Sequence, residues 1–484
     1  MFRRITASLL LISMLIAAAA CGETAESAPS AGANEEAATD AVLEETEAGT
    51  TYAIDTIEKQ DFGGREFKAV STNQDQRQVD IIAEEENGAT LNDLVYRRNS
   101  KLEELFNVKI VASDKDYGSI TSDAIKAAQA GDNPYDLYMT NFTAYSAASQ
   151  GYLLPWNKIS SMDITQPWWD QAAISDMSVA GNSYLITGDI SPTCMLTSEC
   201  ILFNKKLFDA MGMEYQYQTA FDGKWTIDRM IEQSKGLTSD IDGDGKYKDA
   251  TDLFSFTLWC DAASALFYGQ GGSLSKKQDG DIPVIDFNVD AVSGRIEKIY
   301  SLVIDNEANY SKSNHEMSFK VFNQGRAYFC DITFQKVEMF LRDMEDDYGV
   351  LPLPKYDETQ ERYQTNVSGA GTAIILPVSC AETDVVGTLI DAYAAIAYDD
   401  ITPSLFDVIA SVKNTRDAES SEMVQLIIRN RVFDPVRMYG ISGNNIADDL
   451  MAKKSADVAS YLAKNEPKAV TELEKIVNAF SENS

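Results

Sequence analysis

Three aspartates spaced two apart, Asp240, Asp242 and Asp244, run into Gly245 as D-x-D-G-D-G. Alternate carboxylates on a tight turn converge on one point, their hard oxygens suit a calcium ion, and glycine permits the turn. A complete loop of this kind closes with a glutamate at its twelfth position, where this chain has Thr251 close to Asp249 and Asp252. The expected ligand set is therefore Asp240, Asp242, Asp244, Lys246, Asp249 and Asp252, with Asp252 closing the site after a one-residue bulge; the other reading is a solvated acidic turn. A bound ion here would be structural. Trp168 and Trp169 form an adjacent indole pair. Exposed aromatic faces stack on the apolar C–H surface of sugar rings while carboxylates and amides take the hydroxyls, so one reading puts one ring on a ligand and the other in the core, and the other reading, the commoner for such pairs, puts the pair in the core. The only histidine, His315, lies in a polar stretch, so Ser-His and Cys-His nucleophilic devices have little support. A two-carboxylate glycoside hydrolase needs no histidine and stays as an alternative among 75 acidic residues.

These groups are exported. Residues 1–20 carry Arg3 and Arg4, a short apolar run and four alanines, which is the plan of a signal peptide and too short for a good membrane span. Ala18 to Cys21 resembles a lipobox, making Cys21 the lipid-bearing N-terminus of a tethered protein. The next stretch, 21–61, is rich in Ala, Glu, Thr and Ser, is acidic, and reads as a disordered linker unable to bury enough to fold. The formal charge of −34 becomes −36 once Arg3 and Arg4 leave with the signal, which argues against nucleic acid or an anionic membrane face as partner. Beyond Cys21 the chain has Cys194, Cys200, Cys260, Cys330 and Cys380 in no CxxC spacing, so no zinc or redox site is read. Cys194 and Cys200 are either a disulfide or buried thiols.

A chain of 484 residues is long enough for two cores. Arg65 to Ser71 and Tyr135 to Thr140 read as strands, with an amphipathic helix at Leu91 to Phe106 between them. Ile201 to Phe203 reads as a strand, Asn204 as the N-cap of a helix ended by Gly212, and Thr226 as the start of another helix. Arg326 to Thr333 reads as a strand. The tail from Ala418 is expected to be almost all helix, with Met423, Leu426, Ile427 and Val432 on one face. Strands alternating with helices imply an α/β architecture with mainly parallel sheets.

Several of these segments together resemble the family-1 extracellular solute-binding proteins of ABC importers, the group that includes maltodextrin-binding protein. The likeness is carried by ILFNKKLFDAMGM from Ile201, KWTIDRMIEQSKGLT from Lys224, FNQGRAYF from Phe322 and YGVLPLP from Tyr348. A lipoprotein subgroup is matched by PWWDQAAISDMSVAGNSYLITGDIS from Pro167 and TRDAESSEMVQLIIRNRVFD from Thr415. The resemblance implies a two-lobe, type II periplasmic-binding-protein fold. Its first lobe would be residues 62–191 plus 349–399, and its second 192–348 plus 401–484. By position in that fold Asn73, Asn141, Tyr145, Trp168, Trp169, Asp189, Trp259, Asp331 and Phe334 would line the cleft between the lobes. The resemblance further implies capture of a small solute, expected to be a sugar, by lobe closure, and delivery to an ABC permease. No catalysis and no organic cofactor are implied, and a monomer held by lipid on the outer face of the bacterial cytoplasmic membrane is expected. A surface glycan-binding lipoprotein with no transporter is the remaining alternative.

Overall fold

The computed structural model describes residues 52–116, 118–247, 251–313, 316–369, 371–405 and 418–482. Signal, Cys21 and most of the linker lie outside them, as do Asp249 and His315.

The strands are β1 (Arg65–Thr72), β2 (Val108–Lys115), β3 (Leu137–Asn141), β4 (Glu199–Asn204), β5 (Phe254–Leu258), β6 (Ser275–Gln278), β7 (Ile282–Ile285), β8 (Asn309–Tyr310), β9 (Ala327–Thr333), β10 (Tyr348–Leu351), β11 (Thr365–Asn366), β12 (Thr372–Ile375) and β13 (Arg431–Val432). Two main sheets run in the orders β12-β3-β1-β2 and β10-β4-β9-β5-β8. Alternation in β1 and β3 sends Phe67, Ala69, Leu137 and Met139 to one core and Val70 and Tyr138 to another, so the first sheet is buried on both faces. That second core continues without a break into the second sheet and the C-terminal helices.

Local signals act as expected. The Asn204 side chain accepts from the Leu207 amide at 3.0 Å, and Gly212 ends that helix with φ +65°. Thr226 caps the helix Ile227–Ser234.

The mainly parallel expectation holds only narrowly, because both main sheets are mixed. β1 pairs in parallel with β2 and β3, and β5 with β8 and β9, but β12 against β3, β10 against β4 and β4 against β9 are antiparallel. β4 and β12 are entered by chain crossing from the other sheet, so no local helical crossover dictates their direction. Thr197–Ser198 and Val367–Ser368, one from each crossing, pair with one another. β10 sits wholly in the second sheet, beside β4, which moves the return crossing from Gly349 to the stretch after Asn366. The tail is also less uniformly helical than its periodicity suggests. Helix Ala418–Arg429 gives way to β13, where Val432 pairs with Asn366. All five described cysteines are buried free thiols, and Cys194 and Cys200 form no disulfide.

Candidate solute-binding cleft

A cleft of 630 Å³ opens at the carboxyl ends of strands from both sheets, the place where open α/β sheets hold ligands. The turn after β1 supplies Gln74, Asp75 and Arg77, and the turn after β3 supplies Thr143. From the second sheet come Trp259 to Asp261 after β5 and Thr333 at the end of β9, followed by Gln335 to Phe340 on the helix Phe334–Phe340. Arg437 and Met438 close the remaining wall.

One wall is aromatic. The Trp259 and Phe319 rings lie 6.1 Å apart and those of Phe319 and Phe340 5.1 Å apart, tilted against each other. The charges of the cleft are paired: Asp261 with Arg437 at 3.2 Å, Asp75 with Lys336 at 2.8 Å, and Glu316 with Lys320 at 3.1 Å. Beneath the floor Glu199 and Asp331 are wholly buried on one face of the β4–β9 pair. Loss of hydration pushes both carboxyls well above the usual range, and each is pushed further by neighbouring carboxylates: Asp331 and Asp261 for Glu199, Asp448 and Asp261 for Asp331. Glu199 Oε1 accepts from the Asn366 side chain at 3.2 Å. For Asp331 the Trp259 indole N–H favours the ionised form, without a hydrogen bond of ordinary geometry.

Of the nine expected ligand residues, Trp259 lines this cleft. Asn73, Asn141, Tyr145, Asp331 and Phe334 each fall within two positions of a lining residue without being among the lining residues themselves. Asn141 accepts from the Thr143 amide at 2.9 Å and holds the turn Phe142–Ala144. The Tyr145 ring packs 5.0 Å from that of Tyr439. Phe334 is buried, and Asn73 is an exposed residue whose amide donates to the Lys115 carbonyl.

The tryptophan pair is a correction. Trp168 and Trp169 are 2% and 1% exposed, and both indole N–H groups donate to Asp391 Oδ1, at 2.6 and 2.9 Å. A buried indole needs an acceptor, and one carboxylate on the helix Thr383–Asp400 satisfies two, so both rings face the core of the first sheet. Gly188 lies against this pair, and a Cβ there would run into the Trp168 carbonyl oxygen. Asp189 beside it accepts from the Thr402 hydroxyl, and burial pushes its carboxyl up to about 7.

The acidic loop stands apart from the cleft. Oxygens of Asp240, Asp242 and Asp244 lie within 4.8 Å of one another. Asp240 accepts from the Gly243 and Gly245 amides, each at 2.7 Å, and Asp244 from the Lys246 amide at 3.0 Å. Asp252 is fully buried and accepts from the Ile241 amide at 2.8 Å, tying the loop to the start of β5.

Residues 82–398, well over half of the chain, match the sequence profile of the bacterial extracellular solute-binding proteins. The chain belongs to that family. No curated protein matches it in sequence. Among solved structures it is similar to the galacto-N-biose-/lacto-N-biose I-binding protein of the ABC transporter from Bifidobacterium longum, in complex with lacto-N-biose. There the TM-score is 0.58 at 14% identity, over 86% of this chain and 99% of that one. A cyclo/maltodextrin-binding protein complexed with maltotetraose gives 0.55 at 13% identity, over 87% of this chain and 97% of that one. A sugar transporter protein from Rhizobium etli in an open conformation gives 0.55 at 15%, over 86% and 98%. The fold is thus the two-lobe type II binding-protein fold, and the family is one of extracellular binding proteins, not enzymes.

Proposed function

We propose that this chain captures a neutral carbohydrate outside the cell and hands it to the membrane subunits of an ABC importer, held to the membrane by lipid on Cys21. The observation that carries the reading is the cleft itself: Trp259 and Phe340, backed by the wholly buried Phe319, facing polar groups whose charges already pair off. Such a surface offers apolar stacking and hydroxyl-directed hydrogen bonds while leaving no spare charge for an ionic solute. The family supports extracellular capture, and the oligosaccharides named with the structural relatives support the class of solute.

The test is a thermal-shift panel of maltotriose, maltotetraose, lacto-N-biose and neutral monosaccharides. A sugar that binds only the folded protein adds about 2.7 kcal/mol at a hundredfold excess over its Kd. Trp259→Ala is expected to abolish that rise while leaving the unliganded protein folded. A panel in which peptides or polyamines raise Tm and no sugar does would overturn the proposal.

A structural calcium ion held by the Asp240 loop belongs to the same proposal. Three carboxylates converging within 4.8 Å repel one another, and a divalent cation relieves that repulsion.

A further inference from the structure

Two bridges of opposite character flank the cleft. On one side the lobes meet mainly through buried groups: Phe142 packs on Phe433 at 5.6 Å and Tyr184 on Phe480 at 4.6 Å, and a buried Arg431–Asp170 pair at 2.6 Å joins them. There the Tyr439 hydroxyl donates to the Met177 carbonyl at 2.8 Å, within the core that runs unbroken from the first sheet into the C-terminal segment. On the other side the turn after β1 meets the helix after β9 through polar groups alone. Gln335 Nε2 donates to the Asp75 carbonyl at 2.6 Å, and Lys336 Nζ donates to Asp75 Oδ1 at 2.8 Å. Asp75 and Gln76, neither a glycine, hold φ of 51° and 63°, a left-handed pair that side chains disfavour and that persists only when surrounding contacts enforce it.

We infer that Asp75, Gln335 and Lys336 form the releasable clasp of the clamp, so that the lobes part on this side while the Phe433–Tyr439 side stays joined. The inference rests on the cleft being the solute site. Parting the apolar side exposes a continuous core, whereas the clasp exchanges one ion pair and one hydrogen bond for water. Its side chains already reach solvent, at 25% for Asp75 and 16% for Lys336. Release also lets the Asp75–Gln76 turn leave its strained backbone. The clasp then acts by positioning: it sets how much of the solute-free protein is closed.

Hydrogen exchange on the full chain without any sugar tests this, so its failure is separate from failure of the solute reading. In Lys336→Met and in Asp75→Asn, amides of the cleft floor at 259–263 are expected to exchange about two- to fivefold faster, the value of one partly exposed ion pair. Asp75 also pairs with the buried Arg77 at 3.6 Å, so the coupling is read from the double variant Asp75→Asn with Lys336→Met, which is expected to exchange no faster at the floor than Asp75→Asn alone. Faster exchange confined to the Asn73–Asp80 turn and the Phe334–Phe340 helix would overturn the inference, since it means local fraying without opening. Acceleration spread equally over β1 and β3, or none anywhere, would overturn it as well.

Discussion

At the scale of single residues the chain spends its tryptophans and carboxylates in opposite ways at two sites. Asp391 gives one oxygen to two indoles and seals them in the first core, while Trp259 stays at the cleft over the buried Asp331. Sequence spacing located strand ends well, which is why five of the nine expected residues fall beside the lining of the candidate cleft. It missed which side chains turn inward, because a shift of one residue on a strand reverses the face and a short cap such as Asn141 is used up locally. Asp189 makes the pH dependence testable. Its carboxyl stands at about 7 in the folded protein against 3.8 in the unfolded chain, so the native state holds the extra proton between those values. Stability is therefore full below about pH 4 and falls as pH rises toward 7, by up to about 4 kcal/mol for this group. Asp189→Asn, which keeps an acceptor for Thr402, is expected to flatten the decline in urea midpoint between about pH 4 and pH 7. An unchanged slope would show that Asp189 titrates normally.

At the scale of elements, local and distant forces divide the work. Helix caps at Asn204 and Thr226 and the left-handed Gly212 were legible because the interacting groups lie within four residues. Strand direction in β4 and β12 was not, because it depends on crossings whose partners, Ser198 and Val367, are far apart in sequence. The calcium loop sits between these cases. Its first half was legible as D-x-D-G-D-G, and the Asp252–Ile241 bond ties that half to β5. Millimolar calcium is expected to raise Tm by a few degrees and EDTA to reverse it, since extracellular sites of this kind bind in the range of about 10⁻⁴–10⁻³ M. Asp242→Ala is expected to lose that response while changing calcium-free stability by no more than about 0.5 kcal/mol, as befits an exposed position. If calcium leaves Tm unmoved in the parent, the loop is a solvated turn.

At the scale of the whole molecule, an acidic two-lobed body is expected to hang from the membrane by Cys21, free to meet a permease. Among the described residues no helix is long and apolar enough to cross a membrane. Labelled palmitate is expected to mark the parent protein and to be lost in Cys21→Ser, which would then be shed into the medium; equal labelling of both would end the tether reading. What the sequence determined by itself was the α/β class, several helix starts and stops and the acidic loop, each set by residue type over short spans. The tertiary structure alone decided that the Trp168–Trp169 pair is core, that Asp75 reaches Lys336 across 261 positions, and that Asp331 lies under Trp259. Those outcomes depend on which distant surfaces exclude water together, and burial is a property of the folded assembly that no local spacing encodes.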